Sequence, residues 1–296
     1  MRETVVASFY ADRKHLHPES KTDYLACLKI VQRSVERAGM RHCLLTDYAT
    51  EAAALDAGIS DVMTFDLPEP LMQATTWAQA KWLETTESEG VDTVFIGADC
   101  IVVRDFRDDL PDCDFAVAYM LGHKRWRINN GFMYCPAHSR ERMARHFRRV
   151  ALDTGPEMFD DMLAHERGLG GLPQMPQDFG TCARAGMRVA FLPLPKWNRY
   201  MTAEKTNPNP FKGMQEANVL HFMGQWERGK PHFFEGARRL GLVYLIRIVA
   251  PHFVAGVIHH RGVIVMSAPI LRYMIGWDGR RLADYCRAKG WKWERV

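Results

Sequence analysis

Thr93-Val94-Phe95-Ile96-Gly97-Ala98-Asp99-Cys100-Ile101-Val102-Val103 sets a single carboxylate between two apolar runs. Residues 93–96 are β-branched or aromatic and read as a strand, and Gly97-Ala98-Asp99 reads as the turn that closes it. Such a turn holds an acid at the rim of a sheet, where a hard divalent cation bridging phosphate oxygens can bind. An Asp that caps a turn satisfies the same pattern, so the segment gains force only from its surroundings.

Upstream, strand and helix patterns alternate. Residues 5–9 read as a strand, and residues 23–38 place Tyr24, Leu28, Val31 and Val35 at helical spacing with Gly39 as a stop. Residues 41–46 read as a second strand ending at Asp47, residues 62–65 as a third, and residues 75–87 as a helix carrying Trp77, Ala80, Trp82 and Leu83. This alternation predicts an α/β fold with an open, mostly parallel central sheet and flanking helices. Ligands of such sheets bind beyond the carboxyl ends of the strands, so the residues after Phe9, Thr46 and Ile96 come first as candidates.

Downstream, Ile128-Asn129-Asn130-Gly131-Phe132-Met133 reads as a turn with amide side chains leading into an apolar strand. Further on, residues 219–231 offer an imidazole at a strand end (His221), a glycine that lets backbone approach an anion (Gly224), and a point charge for a phosphate (Lys230). Each of these has a purely structural alternative. Their fixed order is more specific than any one of them.

The composition excludes other classes. With 47% hydrophobic and 25% charged residues in 296, collagen-like, low-complexity and disordered chains are out. Seven scattered cysteines without a Cys-x-x-Cys pair predict reduced thiols and a cytoplasmic location. The N-terminus runs into a strand pattern without an apolar leader, so no signal peptide is expected. The most apolar stretch, residues 240–265, is broken by Arg247, Pro251 and His259-His260-Arg261, short of the roughly 20 apolar residues a spanning helix needs.

The ordered motifs resemble those of GT-A-fold glycosyltransferases, most of all the family-8 group that includes glycogenin and the lipopolysaccharide galactosyltransferases. The carrying segments are Gly97-Ala98-Asp99, Asn129-Asn130-Gly131, Asp160-Asp161, Leu192-Pro193…Trp197-Asn198 and His221-Phe222-Met223-Gly224…Lys230-Pro231. The resemblance in order and spacing runs from residue 4 to residue 231. The resemblance implies a GT-A-like (Rossmann-like) catalytic domain over residues 1–231 that transfers a sugar from a nucleoside-diphosphate sugar, UDP-linked, to an acceptor hydroxyl with retention. It implies that Asp99 and His221 bind a divalent cation, Mn²⁺ or Mg²⁺, and that Gly224 and Lys230 hold the donor diphosphate. Asn129 and Asn130 would contact the donor sugar, and Asp160 or Asp161 would face the reacting centre. Tyr10, Asp47 and Lys81 are further donor-binding candidates. Gly97 stands where the family has the first acid of Asp-x-Asp, so weak metal affinity is expected.

Residues 232–296 fall outside the resemblance and read as a basic, partly helical C-terminal extension. Residues 231–296 hold 11 Lys/Arg against 4 Asp/Glu, a net of +7, which leaves residues 1–230 at −3. Arg280-Arg281, Arg287, Lys289, Lys292 and Arg295 interleave with Trp277, Tyr285, Trp291 and Trp293, a mixture suited to an anionic saccharide, a lipid headgroup or nucleic acid. A solvated basic face gives the same composition, and no motif singles out nucleic acid. Two other functions fit parts of the pattern. One is a non-catalytic nucleotide- or sugar-binding protein. The other is a sugar-nucleotide nucleotidyltransferase, although residues 9–14 lack the glycine-rich loop such an enzyme needs.

Overall fold

The computed structural model describes residues 3–12, 20–121, 127–157, 159–171, 176–201, 209–224 and 230–242, with the backbone of four strands beyond. The first half runs β1 (Thr4–Phe9), α1 (Tyr24–Arg37), β2 (Arg41–Asp47), α2 (Tyr48–Asp56), β3 (Val62–Phe65), α3 (Leu71–Glu84) and β4 (Asp92–Ile96). Then come β5 (Cys100–Val102), β6 (Phe115–Tyr119), β7 (Ile128–Cys135), α4 (Arg140–Asp153), α5 (Asp160–Gly168), β8 (Gly180–Arg184) and β9 (Met187–Pro193). After α6 (Leu194–Trp197), β10 (Arg199–Tyr200), β11 (Val219–His221) and α7 (Pro231–Arg239) follow.

Eight strands form the main sheet in the order β3-β2-β1-β4-β7-β6-β9-β8. β1, β2, β3 and β4 are mutually parallel, as are β6 and β9, whereas β7 and β8 pair antiparallel with their neighbours. The fold is therefore mixed α/β with a mostly parallel central sheet, as the alternation of patterns predicts. The chain leaves β1 for β2 and β3 and returns on the other side of β1 as β4, which makes the β1–β4 carboxyl edge the topological switch point.

Strand residues alternate between two faces, and each face has its own cover. Val6, Val94, Ile96 and Ala116 pack with Ile30, Val31 and Val35 of α1, with Ile101 and Leu220, and with Phe233 and Ala237 of α7. Val5, Ala7, Phe95 and Val117 pack instead with Trp82 and Leu83 of α3 and Met143 and Phe147 of α4. The packing runs past residue 231, since Phe233, Ala237 and Leu242 belong to the first of these cores. A second, three-stranded sheet, β10-β11-β5, lies beyond the end of β4. A further sheet is built from β12 (Tyr244–Ala250), β13 (Phe253–His259), β14 (Val263–Val265) and β15 (Lys292–Arg295). Arg280, Arg281, Arg287, Lys289, Trp277, Tyr285 and Trp291 lie outside the described residues.

The sequence reading needs one correction. Asn129-Asn130-Gly131 is not a turn before the strand but lies within β7. Asn129 Oδ1 accepts from the Gly131 amide at 2.9 Å, a local bond that takes the place of a ladder bond. The pairing with β6 jumps accordingly, from Val117↔Met133 to Ala118↔Asn129, so Asn130, Gly131 and Phe132 bulge out of that ladder.

Candidate functional site

Asp99 stands where β4 ends and β5 begins, and the turn is closed by the Cys100 amide donating to the Gly97 carbonyl at 3.1 Å. β5 pairs antiparallel with β11 in a register that sets His221 opposite Cys100. The Phe222 amide donates to the Asp99 carbonyl at 3.1 Å. The small sheet thereby brings His221 Nε2 to 3.3 Å from Asp99 Oδ1. Lys230 reaches the same carboxylate from the start of α7. Its backbone is left-handed (φ 53°), an uncommon conformation for a lysine, and Pro231 follows at the first helical position.

The Lys230 ammonium is the centre of this cluster. It donates to Asp99 Oδ2 at 2.7 Å, to the Phe222 carbonyl at 2.8 Å and to the Gly224 carbonyl at 3.0 Å, and the residue is only 2% exposed. Burial pushes the Asp99 carboxyl up, but Lys230 and His221 outweigh it and hold the group well below the usual carboxylate range. The ammonium also lies 5.8 Å from the centre of the Tyr24 ring, which stacks on Tyr10 at 5.5 Å.

An amide network forms the adjoining wall. Asn129 is fully buried; its Nδ2 donates to the Tyr200 hydroxyl at 2.5 Å and its Oδ1 accepts from Asn198 Nδ2. Tyr200 meets the His221 ring edge-on at 5.7 Å. A Cβ at Gly131 would lie 2.5 Å from His221 Nδ1 and 2.7 Å from both amide atoms of Asn198, so only glycine lets β7 pass this close. Asn130 Nδ2 donates to Asp161, and Glu166 on the same helix accepts from the Ile128 amide at 3.0 Å. α5 is thus tied to β7 on either side of the Asn pair. Burial pushes the Asp161 carboxyl up to about 6, against the pull of the Met162 amide and Asn130.

The expected site residues therefore divide. Asp99, His221, Gly224 and Lys230 converge directly, and Asn129, Asn130 and Asp161 line the adjoining side. Asp160 turns the other way, accepting from the Glu157 amide at 2.9 Å at the start of α5. Tyr10 follows β1 and reaches the cluster through Tyr24. Asp47 ends β2 and caps α2, accepting from the Thr50 amide at 2.9 Å. Lys81 lies in the last turn of α3, 4.0 Å from Glu84, and its neighbour Trp82 donates to Thr93 near the start of β4. That is the end of the strand away from Asp99. Sequence reasoning passed over Tyr24, Cys100 and Tyr200. Asn198, in the Leu192-Pro193…Trp197-Asn198 segment, and Tyr200, two residues along, both reach Asn129.

Asp99, Cys100 and His221 offer ligand atoms within 4.8 Å of one another, a group that stands alone among the described residues. Its chemistry does not fit a hard divalent cation, which takes several oxygen ligands. The set holds one carboxylate, and Lys230 already occupies its Oδ2. The thiol donates to the Gly131 carbonyl at 3.6 Å. Position 97 is glycine and adds no second carboxylate; a Cβ there would sit 2.9 Å from the free end of Asp99, at Oδ1.

No family model matches the chain, and no curated protein matches it in sequence. Its backbone is similar to solved structures of glycosyltransferases. One, involved in glycosylation of the major capsid of PBCV-1, has a TM-score of 0.47 at 12% identity, covering 78% of this chain and 98% of that one. The galactosyltransferase LgtC, in complex with donor and acceptor sugar analogues, has a TM-score of 0.44 at 17% identity over 79% of this chain and 95% of that one. The bifunctional WbbM has a TM-score of 0.46 at 13% identity over 79% of this chain, which spans about half (49%) of WbbM's length. At such identities the likeness concerns the backbone alone. No described helix is long and apolar enough to cross a membrane.

Proposed function

We propose that the chain is a glycosyltransferase moving a sugar from a UDP-linked donor to an acceptor hydroxyl, with retention at the anomeric carbon. One observation supports this most. His221 and Lys230, both more than a hundred residues beyond Asp99, gather within bonding reach of it at the switch-point edge of the sheet. Asn130 and Asp161 stand on the adjoining wall.

In the reaction the bond from the sugar C1 to the β-phosphate oxygen breaks, and its electron pair stays on the phosphate. The acceptor oxygen bonds to C1, and its proton passes to the departing phosphate. Lys230 offsets the charge that grows there, an electrostatic term in place before the reaction begins. Asn129 is committed to Tyr200, Gly131 and Asn198, so it positions the wall. Asn130 and Asp161 orient the sugar and acceptor, which supplies proximity. Asp161, with its proton affinity raised toward neutral pH, is matched to taking that proton from the acceptor and handing it on to the phosphate. The cationic surplus of residues 231–296 supports an anionic acceptor.

The test is nucleotide release from a panel of UDP- and GDP-sugars. Turnover with at least one donor is expected, and Asp161→Asn should lower it on the order of 10²-fold. Failure of every donor to turn over, together with no binding of UDP or GDP, contradicts the proposal.

A further inference from the structure

We infer that Lys230 is the resident cation of this site, and that donor binding and transfer need no divalent metal. The inference rests on the sugar-nucleotide reading above and replaces the metal expected from the motifs.

The ammonium has three N–H donors and meets three oxygens: Asp99 Oδ2, the Phe222 carbonyl and the Gly224 carbonyl. An acidic and carbonyl oxygen cage is what a bound cation requires, and here the cation is part of the chain. Its position is fixed by the left-handed Lys230 backbone, by Pro231 and by the Phe233 amide donating back to the Lys230 carbonyl at 3.0 Å.

The three bonds are unequal. Asp99 and Phe222 hold the ammonium from inside, whereas Gly224 is exposed, has φ +67°, and has no atom of the described residues within 4 Å of where a Cβ would stand. The Gly224 bond is also the longest, at 3.0 Å. Exchanging it for a phosphate oxygen leaves Lys230 bridging Asp99 and the diphosphate, the bridging role a divalent ion would otherwise fill.

A divalent ion between Asp99 Oδ1 and His221 would sit beside the buried ammonium on Oδ2, and the repulsion between the two cations in that setting disfavours it. Gly97 adds no second carboxylate to the site.

The experiment titrates the full-length chain with UDP by calorimetry and follows donor turnover, in EDTA and then in excess Mn²⁺ or Mg²⁺. The expected result is affinity and turnover that agree within about threefold between the two conditions. Lys230→Met should weaken UDP binding in EDTA by tenfold or more, on the order of 1.4 kcal/mol, without rescue by Mn²⁺. Lys230→Arg checks that a cation at this position folds and partly restores binding. Loss of UDP binding in EDTA with recovery in Mn²⁺ overturns the inference while leaving the transferase reading intact. If Lys230→Met fails to fold, the wild-type comparison decides alone. Absence of UDP and GDP binding under both conditions overturns the transferase reading, and this inference with it.

Discussion

Asp161 and Asp99 are both carboxylates of one site, yet their pH dependence should have opposite signs. Burial raises Asp161 to about 6, above its unfolded value near 3.8, so its contribution to stability is complete below about pH 4. That contribution is lost as pH rises through about 6. Asp99 is depressed by Lys230 and His221, so its contribution is present above the ordinary carboxylate range and is lost only as pH falls well below it. Asp161→Asn should therefore gain melting temperature relative to wild type as pH rises from 4.5 to 7.5, a comparison that thermal denaturation at several pH values makes directly. Removing Asp99 acts on its partner: Asp99→Ala leaves the buried Lys230 ammonium without its counter-charge. A loss of about 3 kcal/mol in urea unfolding is expected.

Single positions within elements decide whether the two halves of the site meet. β7 passes His221 and Asn198 only because residue 131 lacks a Cβ, so Gly131→Ala should cost about 1–3 kcal/mol and weaken UDP binding together. Chemical denaturation and calorimetry on one variant read the two effects. Asp47→Ala removes the cap of α2 and should cost about 1 kcal/mol, with UDP affinity as the readout that separates a cap from a donor contact. These cases also show what sequence patterns can and cannot say about elements. β1, β2 and β4 were legible because strands covered on both faces read as short continuous apolar runs set between helical patterns. The bulge in β7 was not, because Asn-Gly marks a hairpin turn equally well when its side chain instead bonds two residues along. The two acids at 160 and 161 looked alike in sequence; only the direction of the first turn of α5 separates the buried one from the one that bonds the turn before the helix.

At the scale of the molecule, one topological fact assembles the site. The chain crosses from β1 to β3 and back to β4, and the small sheet then hangs β11 beside the end of β4. The order of the motifs along the chain was readable, and so was the sheet class. Their convergence was not, since the pairing of Cys100 with His221 joins segments more than a hundred residues apart. Nor could sequence show that Lys230 would turn inward onto Asp99, because a lysine before a proline is ordinarily a solvated charge. The charge split has a similar limit. The +7 of residues 231–296 is a property of composition, whereas the described packing continues through Leu242. Hydrogen–deuterium exchange of the full-length chain with and without UDP tests the location of the donor site most directly. Protection is predicted in three separated segments, residues 97–102, 129–132 and 219–224, all at once. UDP binding that leaves these segments unchanged, or protects only a region elsewhere, would contradict the account.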